Sequence, residues 1–249
     1  MNHPRSHRHH LTTFGYRIYR SRWHVWVAAA LTFLPLLIVL FVLPLSAHEK
    51  REFFLSLGPS TLRLLVAYVI SVVLAMILAF LCATKLGAVL LPLFDVLQSF
   101  PTFAILPLVA GAFGASETTV TLFLVVTIIW PMLFAIISAQ KLVREDWIEA
   151  AQIYGAKGWK RYIYFLMPIS FPGLITGSIV GLGEGWEAVV GAEIIIGFRG
   201  HGLGNFFDQG GGSSSLVFFG VFSLLACIFV INKLFWLPLL ERSHKLLTE

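Results

Sequence analysis

The sequence predicts an all-α integral membrane protein, with six transmembrane helices in one domain and a polar elbow on one side. Three observations predict it. Hydrophobic residues make up 57% of the chain, charged residues only 12%, and mean hydropathy is +0.84, more apolar surface than one water-soluble core needs. The apolar residues gather in runs able to cross a hydrocarbon core, which takes about 20 helical residues. The basic residues sit in short flanks beside those runs, which fits membrane topology rather than a nucleic-acid surface despite a net charge of +5.

Residues 1–23 read as a solvated tail whose Arg17, Arg20 and Arg22 anchor the first span; His3, His7, His9 and His10 have no scaffold that would make them metal ligands. Residues 24–47 are too long for a secretory apolar region and form the first span, opening a single domain over 24–238. A polar link, His48–Glu52, leads to a second span over 60–84, and Lys85-Leu86-Gly87 makes a tight turn. The third span, 88–111, is interrupted by Pro92, Pro101 and Pro107, each of which removes a backbone donor. A helix that irregular needs protein or a watered cavity around it, so it is expected to face the bundle interior. The fourth span is 118–138 and the fifth 169–196. A glycine- and serine-rich connection follows over 197–215, including His201, with the composition of a flexible loop. The sixth span is 216–237, before a short polar tail, 239–249.

Six spans put both termini on one side. With the N-terminus inside, 14 of the 18 Lys and Arg residues fall on inner segments and 4, namely Lys50, Arg51, Arg63 and Arg199, on outer ones. This bias sets both termini and the polar stretch 139–168 in the cytoplasm.

That stretch holds Trp147, Ala150, Ala151 and Tyr154 at helical spacing, with Arg144, Glu145, Asp146 and Glu149 supplying charge: a short amphipathic helix outside the membrane. Gly155 can take the left-handed conformation that stops a helix. Residues 156–166 read as a second short helix, and Pro168 marks entry to span five. Physical chemistry leaves two occupants for this elbow, the lipid headgroups or another protein.

Within span five, Gly173, Gly177, Gly181 and Gly185 recur every four residues and leave one helix face nearly bare. Close helix packing is the first reading, a pathway lining or dimer seam the second. Glu184, Glu187 and Glu193 lie in the same apolar run, where a charge costs about 2.5–3.5 kcal/mol at the bilayer centre. They must face protein, water or solute. Cys82 and Cys227 lie in apolar runs and read as buried packing residues. No nucleophile–base pair or metal cluster suggests an enzyme. There is no G-x-x-x-x-G-K-[ST] loop either, and Gly155-Ala156-Lys157-Gly158-Trp159-Lys160 lacks its spacing and preceding strand.

Glu149-Ala150-Ala151, three residues, Gly155, nine residues, then Phe165-Leu166-Met167-Pro168 resembles the EAA loop of binding-protein-dependent ABC importer permeases; Phe165 and Met167 replace the usual Ile and Leu. Asp95–Pro101 with Leu106-Pro107-Leu108, Trp130-Pro131, and Gly185-Trp186 followed by Ala192-Glu193 resemble the nitrate, sulfonate, taurine and bicarbonate group of these permeases. Asn232-Lys233-Leu234 with Trp236-Leu237-Pro238-Leu239 is similar to the end of a related anion-type subgroup. The resemblance implies half of a translocation pathway in a bacterial-type cytoplasmic membrane. Its EAA elbow, here Glu149, Ala150, Ala151, Gly155 and Pro168, would couple to a separate ATPase subunit that carries the ATP and Mg, so that this chain binds no cofactor. A second permease copy or paralogue and an extracytoplasmic solute-binding protein are the other implied partners. Asp95, Gln98, Pro101, Glu184, Glu187 and Glu193 are the candidate pathway residues for a small polar solute, with nitrate, sulfonate or bicarbonate among the candidates. Glu184 and Glu187 depart from the apolar or amide residues expected there and would repel an anion unless protonated or paired; Arg63 and Lys233 are candidate partners. The alternative is a proton-coupled secondary transporter using Glu184, Glu187 and Glu193 as its relay.

Overall fold

The computed structural model describes residues 46–197, 200–209 and 213–248, with scattered helical positions between 26 and 38. The predicted tail 1–23 and most of the predicted first span lie outside the described residues, as do Arg199, Gly210, Gly211 and Gly212.

Every element among the described residues is helical. The first, α1 (Ala47–Cys82), begins well before the predicted second span because Ser46 and Glu49 form a capping box. The Ser46 hydroxyl accepts from the Glu49 N–H (3.2 Å), and the Glu49 carboxylate accepts from the Ser46 N–H (2.7 Å). The expected polar link is therefore the first turns of α1, whose 36 residues reach about 54 Å, well beyond a ~30 Å core.

A turn at Thr84–Gly87, closed by the Gly87 N–H donating to the Thr84 carbonyl (3.0 Å), leads into α2 (Gly87–Gln98). α3 (Thr102–Phe113) leaves it at 89°. Pro101 makes that corner: it cannot donate, its φ of −63° and ψ of 105° are extended, and it disfavours helix at Phe100. The expectation that this segment faces the bundle interior is corrected. Only Gly87 and Phe94 of α2 and Leu106 of α3 are buried. Local bonds satisfy its polar groups at the corner, Gln98 donating to the Asp95 carboxylate and the Ser99 hydroxyl to the Asp95 carbonyl, both at 2.8 Å.

α4 (Glu117–Lys141), capped by the Ser116 hydroxyl, is the centre of the bundle. Its most apolar window is 61% buried against 28% for α1, because α1 and α6 pack on two of its sides. α5 (Glu145–Ile153) is the short amphipathic helix. α6 (Trp159–Ile195) corrects the prediction of a separate helix over 156–166: after the turn at 154–158 the chain runs unbroken into the fifth span. Its stretch Tyr162–Leu166 is a π-helix, in which the Met167 N–H donates to the Tyr162 carbonyl five residues back. Pro168 follows at once. The same arrangement ends the next long helix: α8 (Ser214–Ile231) passes through a π-helical stretch, Asn232–Trp236, into α9 (Leu237–Thr248), whose second residue is Pro238. The wider register gives the proline ring room where an α turn would set a carbonyl against it, so a span keeps its course through a proline.

Between α6 and α8 lies α7 (Leu203–Gln209), a short helix with Leu203, Gly204 and Phe206 buried, in the stretch whose composition suggested a flexible loop. Among the described residues four helices are long and apolar enough to cross a membrane, α1, α4, α6 and the run Ser214–Leu240; the bent α2–α3 pair makes five if it counts as one span. The chain is a multi-pass membrane protein. Its outer surface is correspondingly apolar, with Leu62, Leu65, Val66, Val69, Val73 and Ile77 of α1 all exposed, as suits helices solvated by lipid tails. Cys82 and Cys227 are half-buried rather than buried.

Candidate functional site

Two ends and one flank of the bundle carry the polar chemistry. At one end stands the elbow. α5 begins at Arg144, whose guanidinium pairs with Asp146 and holds that carboxyl below its usual range. It stops by backbone geometry at Gly155, where φ is +77°. The Gly155 N–H donates to the Gln152 carbonyl (3.0 Å) and the Ala156 N–H to the Ala151 carbonyl (2.9 Å), the paired bonds of a Schellman cap. A second left-handed glycine, Gly158 (φ +55°), completes the reversal, a role not assigned from the sequence. No residue of α5 is buried; Ile153 and Tyr154 are 83% and 90% exposed. The far side of the joint is anchored: Trp159 and Tyr162 pack on Phe80 at the end of α1, and the Tyr162 hydroxyl donates to the Met76 carbonyl (2.6 Å). The elbow thus has a firm base and an unclothed tip carrying Glu149, Ala150 and, half-buried, Ala151.

At the opposite end is an ion cluster in which Arg63 and Glu193 are buried and Glu117 is exposed. Arg63 of α1 donates through Nη1 to the Glu193 carboxylate of α6 (2.5 Å) and through Nε and Nη2 to the Glu117 carboxylate of α4 (2.5 and 2.8 Å). Its Nη2 also reaches the His201 carbonyl (2.9 Å). The Glu193 side chain has no exposure and accepts two further bonds, from the Ser60 hydroxyl (2.8 Å) and the Gly204 N–H (2.7 Å), while the Leu203 N–H donates to Ser60 (2.9 Å). Glu193 and Ser60 therefore satisfy the first donors of α7, which is why this stretch is ordered: the partners come from α1 and α6, not from the loop's own composition. Gly202 and Gly204 leave room for it, since a Cβ on either would meet the Glu193 side chain at 2.4 and 2.3 Å. Arg63, one of two candidate partners for Glu184 and Glu187, pairs instead with Glu193 and Glu117.

On the flank, the glycine face of α6 lies against α4. A Cβ on Gly173 would sit 2.5 Å from the Ala135 carbonyl oxygen, on Gly177 2.6 Å from Met132 Cα, and on Gly181 3.1 Å from the Ile128 carbonyl oxygen. Gly185 meets Leu64 and Ile128 side chains. Glu184 and Glu187 point away from this packing and are exposed, one helical turn apart. Gly191, a further turn along the Glu187 face, receives the ring of Phe103 from the start of α3, where a Cβ would stand 2.7 Å from the ring. That contact sets the Pro101 corner beside the face that carries the carboxylates, with Asp95 and Gln98 exposed on α2 just before it. Among the described residues no group of three His, Cys, Asp or Glu side chains could hold a metal ion.

The model for the binding-protein-dependent transport system inner membrane component matches residues 71–235, which include the elbow, the glycine face and Glu193. The chain belongs to this family. The family is one of transport permeases, without catalytic activity of their own. It is similar to the taurine transport system permease protein TauC of Escherichia coli, 33% identical over 112 residues, 45% of this chain and 41% of TauC. The nitrate import permease protein NrtB of Leptolyngbya laminosa is 26% identical over 179 residues, 71% of this chain and 62% of NrtB. The bicarbonate transport system permease protein CmpB of Synechococcus elongatus is 25% identical over 112 residues, 45% of this chain and 40% of CmpB. The matched region thus covers only part, around half, of each relative.

Proposed function

We propose that this chain is the transmembrane subunit of an ATP-binding cassette importer, crossing a bacterial-type cytoplasmic membrane six times with both termini and the elbow in the cytoplasm. The observation that carries this reading is α5: a capped helix with its aliphatic and aromatic tip in the open, on an anchored base, at the position of the EAA spacing. A separate ATPase that receives this tip would move α6 as it closes, because the joint is short and α6 is continuous from Trp159. The exposed flank, with Glu184, Glu187 and the Pro101 corner, then faces a second copy or a paralogue, and the solute passes between the two subunits. An extracytoplasmic solute-binding protein would meet the end that carries α7. The names of the relatives support a small polar solute such as nitrate, a sulfonate or bicarbonate. For an anion, Glu184 and Glu187 must be protonated or paired on assembly.

Replacing Gly155 with valine tests the coupling. A Cβ there meets nothing within 4 Å, so the substitution acts only through the left-handed backbone, at about 1–2 kcal/mol, and unwinds the cap without disturbing the bundle. The variant is expected to insert into the membrane at normal abundance and to lose co-purification with, and stimulation of, its ATPase. Wild-type stimulation would refute the assignment. A second expectation concerns the flank: Glu184→Gln with Glu187→Gln changes solute uptake more than protein abundance, and uptake left unchanged by the double substitution removes both from the pathway.

A further inference from the structure

At the elbow end the helices leave a cavity of about 190 Å³ between the ends of α1 and α4, the start of α6, and α5. Two cations line it, Lys141 at the end of α4 and Arg161 in the first turn of α6, and no acidic side chain does so among the described residues. The Arg161 Nε is buried and has no hydrogen-bond partner, a desolvated donor of the kind folded proteins avoid. Gln140 is held in place beside them, its amide donating to the Ser170 hydroxyl (2.9 Å). The remaining wall is apolar, with Leu91 of α2, Ile137 of α4 and Ile148 of α5. Leu142, between the lining residues Lys141 and Val143, is 84% exposed, and Leu86, three residues past the lining residue Ala83, is also exposed.

We infer that this cavity takes the phosphodiester headgroup of an anionic phospholipid, with Arg161 and Lys141 on the phosphate and the acyl chains running down over the exposed leucines. The volume is that of about six waters, enough for a phosphate and its glycerol linkage but not for a whole lipid, which the open apolar margin then accommodates. Basic pockets between span ends suit anionic headgroups for the same electrostatic reason that draws basic segments to an anionic leaflet. The apolar margin is what favours a lipid over free phosphate. Because Ile148 lines the cavity, a bound headgroup seats the inner face of α5 against the span ends, so that membrane composition bears on how the elbow stands. This inference needs only the membrane-spanning fold and is independent of the partner assigned to the α5 tip.

The test is native mass spectrometry of the full chain in detergent, titrated with phosphatidylglycerol or phosphatidylcholine, for the wild type and for R161Q with K141Q. The wild type is expected to retain one phosphatidylglycerol per chain with about tenfold or greater preference over phosphatidylcholine, at roughly a kcal-scale contribution per cation. The double variant should lose that preference, and R161K with K141R should keep it. Equal retention of the two lipids by the wild type overturns the inference without recourse to any variant. So does a preference that survives the double glutamine variant, and so does displacement of phosphatidylglycerol by millimolar inorganic phosphate, which would make the site one for free phosphate.

Discussion

Gly177→Leu is expected to drive α6 away from α4 and to remove most of the folded protein from the membrane fraction. A Cβ at this position would stand 2.6 Å from Met132 Cα and 3.0 Å from the Pro131 carbonyl oxygen. Both are backbone atoms of the most buried helix, so no rotamer change relieves the overlap, and the two helices must separate along their whole seam. Overpacking a well-packed core costs about 1–3 kcal/mol, occasionally more, and an obstacle made of backbone belongs at the upper end. The contrast is Gly183→Leu on the same helix, where a new Cβ meets nothing within 4 Å. It carries the same change in helix propensity without the clash. Thermal unfolding of the two variants in detergent, compared side by side, separates packing from propensity: a Gly177 variant as stable as the Gly183 variant would contradict the close α4–α6 approach.

Glu193→Ala is the second large effect. It leaves the Arg63 guanidinium buried with one carboxylate fewer and strips the Gly204 N–H of its acceptor. Leaving a buried charge wholly unpaired costs about 3–5 kcal/mol; the loss here is smaller, because the Arg63 guanidinium keeps both bonds to the exposed Glu117 carboxylate. The loss should be local before it is global. Hydrogen exchange at the Leu203 and Gly204 amides is expected to rise by orders of magnitude, about 10²-fold for each 2.7 kcal/mol lost, while exchange in α4 changes little. Glu193→Gln keeps one acceptor and should fall between. Combining Glu193→Met with Arg63→Met should recover much of the stability of either single change, since neither buried charge is then left alone. Unchanged exchange at α7 in Glu193→Ala would show that something other than this carboxylate orders the segment.

The two effects differ in how far they were legible. The spacing of Gly173, Gly177, Gly181 and Gly185 gave a bare helix face from the sequence, but not its occupant, which is α4 of the same chain. The ion cluster was not legible. Arg63, Glu117 and Glu193 lie 54 and 130 residues apart, and nothing local in any of the three segments names the others. α7 followed the same rule in reverse: its glycines suggested a flexible loop, and it is ordered because Ser60, 143 residues before Leu203, and Glu193, 11 residues before Gly204, take its first amides. The bent third segment was misjudged for a related reason. Of its three prolines only Pro101 breaks the helix, Pro92 and Pro107 lying inside α2 and α3, and at that break the Ser99 hydroxyl takes the Asp95 carbonyl at the surface.

By itself, then, the sequence determined what is local: apolar runs that must be helices in lipid, a proline that breaks one segment, and Gly155 where α5 must stop. It also carried the spacing by which the elbow is recognised. Only the tertiary structure decided which helix faces which, because in a membrane protein the lipid-facing side is as apolar as the buried side and periodicity no longer tells inside from outside. The partners of the charged groups were decided there too. A carboxylate or guanidinium in lipid must find its counterpart wherever the fold brings one, and for Arg63 and Glu193 that place is the junction of α1, α4, α6 and α7.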